Sequence, residues 1–145
     1  MYLLPQDNYH YFYLKQLFRN KRWVYAHLDG SEIERKHEFL EAMARGLKFP
    51  KDWDWDWDGF HTIMHELAWY EGGDQPGFIL HYDRFHRYAY TDWDSFINAY
   101  EVLWEAVFHW RKTETPIYVL LQGDEDALPT NFPAPRRLDK PEEDA

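Results

Sequence analysis

Cysteine is absent from this 145-residue chain. That removes disulfides, thiolate nucleophiles and thiolate-ligated zinc, and it suits a reducing compartment. Also missing is any apolar run approaching the roughly 20 residues of a membrane span, so no membrane partner is expected. The opening stretch from Met1 to Asn8 lacks both a basic n-region and an apolar h-region. No secretory signal is therefore expected, and a cytoplasmic protein is. Glycine is sparse, at 7 residues. No Gly-rich phosphate loop, no G-x-S-x-G and no matched nucleophile–base arrangement occurs. The chain is not read as an enzyme, and neither catalytic residues nor a cofactor is assigned.

What is abundant is aromatic: 8 Trp, 11 Tyr and 10 Phe make up 20% of the residues. Such side chains bury large areas and also anchor interfaces, so the excess suits a dense core or an adhesive face. Acid is the other surplus. The net charge is −10, spread unevenly. Residues 1–22 carry +3, residues 123–145 carry −4, and the intervening hundred hold −9 from 18 acids against 9 bases. A negative compact body repels nucleic acid and attracts basic proteins. Nucleic acid is thus not an expected partner. The bland alternative is that acidity serves solubility alone.

Periodicity organises the middle of the chain. Residues 1–21 read as an accessory segment with a short helix from Tyr11 to Arg19. Arg22 to Leu28 reads as a strand stopped by Asp29 and Gly30. Ser31 and Glu34 have the spacing of a capping box. Ile33, His37, Leu40, Met43 and Leu47 then recur at helical spacing, with Gly46 as the C-terminal stop. Phe49-Pro50 breaks the chain. A second helix is predicted behind Asp56 as its cap, with Trp57, Phe60, Ile63, Met64 and Leu67 as its stripe. Phe78 to Tyr82 reads as a buried strand, Asp83 to Tyr90 as a short helix, and Thr91 to Arg111 as a long one. Pro116 to Leu121 reads as a third strand. The Pro-rich acidic tail, 123–145, is expected to be disordered. The fold class is therefore α/β, in the order β-α-α-β-α-α-β over residues 22–122. It implies a three-stranded parallel sheet with flanking helices and right-handed crossovers.

Chemistry concentrates between Lys51 and Gly59, where Asp52, Asp54, Asp56 and Asp58 alternate with Trp53, Trp55 and Trp57. Three readings compete. Asp54, Asp56, Asp58 and Gly59 match the opening of an EF-hand calcium loop, but the twelfth position is His65 and the closing glutamate falls one residue late, at Glu66. Capping of the second helix by Asp56 is worth only about 1 kcal/mol and leaves the other acids unexplained. Tryptophan beside carboxylates is also the composition of a protein-binding hot spot aimed at a basic partner. His61 and His65 have the i, i+4 spacing of a zinc clasp without the glutamate of H-E-x-x-H, so no metal site is assigned to them. His27 and His81 fall in strands and read as core or edge histidines.

Taken in order, these residues resemble the barstar family, the intracellular inhibitors of barnase-type ribonucleases. The resemblance runs from Trp23 to Leu121. It rests on Leu28-Asp29-Gly30 followed by Glu38-Phe39-Leu40, on Phe49-Pro50 and then Asp56-Trp57-Asp58-Gly59-Phe60, and on Val102 to Ala106, Trp110 and Pro116 to Leu121. It implies a barstar-like sheet and inhibition by occlusion, with an acidic helix and its preceding loop standing in for substrate phosphates. It also implies an immunity or antitoxin role against a basic ribonuclease or other toxin, by a protein monomeric when free. Asp58 falls on an interface aspartate of the family and Glu105 on an acidic contact of its last helix. Asp52 replaces the loop tyrosine, with Trp53 beside it, and Asp54 replaces the signature glycine. His61 takes a tryptophan position, and Thr62 stands at the central inhibitory aspartate. The expected partner-binding set is thus Asp52, Trp53, Asp54, Asp56, Asp58, His61, Thr62 and Glu105. The alternative is a calcium- or metal-binding module built on Asp54, Asp56 and Asp58.

Overall fold

Alternating apolar runs and amphipathic stretches assemble into a parallel α/β layer structure. The computed structural model describes residues 1–5 and 22–137. Its strands are β1 (Tyr2–Leu4), β2 (Val24–Leu28), β3 (Phe78–Asp83), β4 (Ile117–Gln122) and β5 (Arg136–Arg137). The helices are α1 (Lys36–Leu47), α2 (Trp57–Glu66), α3 (His86–Thr91) and α4 (Trp93–Arg111). The sheet order is β2-β3-β4-β1-β5, with every pairing parallel.

The three strands expected from periodicity are present and adjacent, but the sheet has five strands rather than three. Tyr2–Leu4 pairs with β4 in the register Tyr2 to Leu120, and Arg136–Arg137 pairs with β1. These pieces are three and two residues long, too short to show a period of two. The start of the presumed accessory segment is therefore part of the sheet, its Leu3 and Leu4 buried. The helix expected over Tyr11–Arg19 lies outside the described residues. Residues 123–137 are likewise packed rather than disordered. Ala127 is buried, and the Phe132 ring meets Tyr100 edge-on at 5.3 Å. The remaining 138–145 lie outside the described residues.

β3 is buried along its whole length, as a central parallel strand must be. Its Phe78, Leu80 and Tyr82 join the main core with Ala26, Leu28, Val119 and Leu121. Ile79, on the opposite face, groups with Leu4 and Leu120, backed by Tyr2, Trp23 and Tyr25. Helix α4 supplies Phe96, Ala99, Tyr100, Leu103, Ala106 and Val107 to the main core, the recurrence its sequence spacing predicts.

Two helix boundaries differ from expectation. Ser31 and Glu34 do not form a capping box. Residues Gly30–Glu32 make a turn of 3₁₀ helix capped by Asp29, whose carboxylate accepts from the Ser31 N–H. Helix α1 starts five residues after Ser31, and Glu38 reaches back to the Glu34 N–H at 2.8 Å. Gly46 does not end α1 either; Lys48 does, in the left-handed region at φ 58°. Gly46 lies inside the helix, where a Cβ would stand 3.0 Å from the Ala26 Cβ, so its missing side chain lets α1 press against β2. His37 is exposed, and the buried stripe of α1 is Phe39, Leu40, Met43 and Leu47.

Candidate protein-binding surface

The Asp/Trp stretch forms a loop folded across the start of α2. Asp56 caps that helix, accepting from the Gly59 N–H at 2.6 Å, and Asp58 follows in the first turn, where the helix dipole favours an anion. A side chain at Gly59 would overlap the Asp54 carbonyl, so glycine is what allows the loop to lie this close.

The three tryptophans have different environments. Trp53 is 8% exposed, with Phe49 edge-on at 5.0 Å and Trp55 at 4.6 Å between ring centroids. Trp57 is half-buried against Phe39 and Phe60, with the Lys36 ammonium 5.3 Å from its ring. Trp55 is 45% exposed, with His37 alongside. Trp53, expected as a contact residue, is thus a core side chain that holds the loop from beneath. Trp55 is the outward-facing ring. Period-two alternation in a loop cannot say which member points inward, because packing against Phe49 makes that choice.

The aspartates point outward around one groove. Asp52, Asp54, Asp56 and Asp58 are all exposed. They border a groove of about 390 Å³ whose lining also includes Trp53, Trp69, Ile63, Thr62 and Glu66. Asp58, Thr62 and Glu66 are spaced four residues apart on one exposed stripe of α2. Five carboxylates therefore surround one concave patch with an aromatic wall. Thr62 sits in the middle of the stripe. Glu66 and Trp69 were not in the expected partner-binding set. The i+4 spacing from Thr62 points to Glu66, whereas Trp69 reaches the groove only through the 3₁₀ turn Ala68–Tyr70, pinned by its indole N–H bond to the Leu47 carbonyl at 3.1 Å.

On the next stripe of α2, His61 faces α4, with its Nε2 3.5 Å from Glu105 Oε1. His61 and Glu105, distant in sequence, are thus brought together beside the groove. His65 stacks on His61 and meets His109 of α4. Burial, with His61 and His109 beside it, holds the His65 imidazole below its ordinary range.

Among the described residues, no group of three or more His, Cys, Asp or Glu side chains is placed to hold a metal ion. The calcium alternative on Asp54, Asp56 and Asp58 therefore lacks a converged ligand set. Asp56 is already committed to the Gly59 N–H.

His27 and His81 hold the sheet. His27 Nε2 lies 2.7 Å from Asp83 Oδ2, and the buried His81 bridges the Tyr25 hydroxyl at 3.0 Å and Gln122 at 2.9 Å. Gln122 in turn donates to the Pro5 carbonyl, tying β4 to the end of β1.

The model of the family described as Barstar (barnase inhibitor) matches residues 23–122, about two thirds of the chain. None of the curated proteins matches it. The matched span covers β2 through β4 and contains the whole acidic groove.

Proposed function

The chain belongs to the barstar family, and from that premise we propose that it inhibits a basic ribonuclease or related toxin by seating its acidic groove over that enzyme's cationic active site. Members of this family are inhibitors rather than enzymes, and a protein partner follows from membership. The finer reading is supported above all by one observation: Asp52, Asp54, Asp56, Asp58 and Glu66 surround a single concavity beside Thr62. A cleft evolved to hold phosphates presents Arg and Lys side chains, and carboxylates at similar spacing occupy them in the substrate's place.

Position 62 shapes this proposal. A threonine there supplies no charge at the middle of the α2 stripe, so the anionic centre moves to the loop aspartates on one side and Glu66 on the other. The protein accordingly favours a nuclease whose cationic residues are spread to match, acting as a monomer in the cytoplasm. The absence of cysteine supports that compartment.

The test is inhibition of RNA cleavage by a barnase-type ribonuclease, with binding followed by calorimetry at rising NaCl. Binding is expected to weaken with salt. The Asp54→Asn/Asp58→Asn double variant should lose about 1–2 kcal/mol, which is roughly 5- to 30-fold in affinity. Inhibition that ignores both salt and these substitutions would place the contact elsewhere on the molecule.

A further inference from the structure

Beside the groove, α2 and α4 hold a group of imidazoles that occlusion does not require. The His61 and His65 rings stack with centroids 4.1 Å apart, and His109 comes within 4.7 Å of His65. The carbonyl of His61 accepts from His65 Nδ1–H at 2.8 Å, which leaves Nε2 of His65 to take up a proton. Glu105 is the anion facing the group, 3.5 Å from His61 Nε2. The titratable groups here are thus His61 and His65 from α2, and Glu105 and His109 from α4. The two helices are pinned at this point, because the Trp110 indole donates to the Met64 carbonyl at 2.7 Å while its ring packs edge-on against His109.

Three imidazoles share one carboxylate. A single proton is balanced by Glu105, but a second or third puts like charges at ring-contact distance. His61 adjoins Thr62, and Asp58 lies one turn earlier on the same helix. Protons taken up here therefore add positive charge to the rim that a cationic partner would touch.

We propose that the His61–His65–His109 cluster is a proton-operated regulator of the acidic docking face, which holds a cationic partner above neutral pH and releases it as the imidazoles become charged. This rests on the inhibitory reading of the same surface. By linkage, partner binding must expel protons from the cluster to the extent that protons expel the partner.

A hexa-arginine peptide with acetylated and amidated ends is the direct probe, because it has no group that titrates between pH 5.5 and 7.5 and any slope belongs to this chain. A barnase-type ribonuclease is run in parallel. The dissociation constant for the peptide should rise about tenfold over that range, as expected for one proton whose pKa moves by about one unit on binding. The His65→Gln/His109→Gln variant, which keeps His61 at the rim, should bind at pH 7.5 like the parent and show a markedly shallower profile.

Binding that is pH-independent in the parent overturns the regulator and leaves inhibition standing. So does a slope that is undiminished in the double variant, or release that coincides with loss of the far-UV helical signal. Failure of both peptide and nuclease to bind at pH 7.5 removes the acidic face itself, and with it both readings.

Discussion

His27 and Asp83 face each other across the β2–β3 pair, Nε2 to Oδ2 at 2.7 Å, at the end of the sheet where the loop to α1 begins. The other Asp83 oxygen accepts from the Gly30 N–H at 2.9 Å, and Arg84 donates to both oxygens. A side chain at Gly30 would overlap the Asp83 and Arg84 carbonyls, so glycine lets the two loops lie in contact. This carboxylate joins the β2 and β3 loops that precede α1 and α3.

Burial opposes ionisation of Asp83, but the bonds from His27, Arg84 and Gly30 outweigh it and hold its carboxyl well below the usual carboxylate range. The folded state thus prefers the ionised form. Its stabilising contribution is complete above about pH 4, the unfolded value, and is lost as pH falls through the lower folded value. Asp83→Asn should cost about 1–3 kcal/mol at neutral pH. Urea unfolding at pH 7 and pH 3 checks both parts: the variant's deficit should shrink in acid, and an undiminished gap would contradict the assignment.

The environments of the loop tryptophans separate stability from binding. Trp53→Ala empties a buried site and should cost about 3–5 kcal/mol. Trp55→Ala removes an exposed ring and should leave the melting temperature nearly unchanged while weakening nuclease binding. Differential scanning calorimetry alongside binding measurements distinguishes them, and equal losses of stability would be the contrary result.

Charge at the centre of α2 can be restored or depleted. Thr62→Asp places a carboxylate between Asp58 and Glu66 and should tighten binding to a barnase-type ribonuclease. Glu66→Gln should weaken it by about 0.2–1 kcal/mol. Both positions are exposed, so unfolding midpoints should hardly move. Inhibition titrations decide, and a weaker Thr62→Asp complex would mean that α2 does not face the cationic cleft.

His65 gives stability the opposite dependence to a histidine that gains an acidic partner. Burial and the neighbouring imidazoles lower its folded pKa below the ordinary value. The unfolded chain therefore binds more protons. The contribution from this residue is full above about pH 6.5 and is lost as pH drops through the lowered folded value. The melting temperature should fall from pH 7.5 to 5.5, and His65→Gln should reduce that fall. A steeper decline in the variant would refute the sign.

How far the fold can be read from the residues is clear from particular elements. Phe78 to Tyr82 and the stripe from Phe96 to Val107 declare a buried strand and an amphipathic helix by themselves, because periods of two and 3.6 require several turns or pleats to be visible and these segments are long enough. Asp56 is recognisable as a cap for a similar reason: its bond to Gly59 is local, between residues three apart. Ser31 and Glu34 have the same local grammar, yet tertiary packing draws Gly30 against Asp83 and delays the helix to Lys36.

Acid content and the alternation of Asp with Trp were determined by the sequence alone, and so was the membership that its ordered motifs announce. Only the folded chain decided which tryptophan is buried, that Glu66 and Trp69 close the groove, and that His109 meets His65. Some of these contacts join distant elements, as His65 meets His109, and all depend on surfaces that exist only once the helices have packed on the sheet. The strands Tyr2–Leu4 and Arg136–Arg137 belong to the same category: each is too short to signal itself and forms because a neighbouring strand offers it backbone hydrogen bonds.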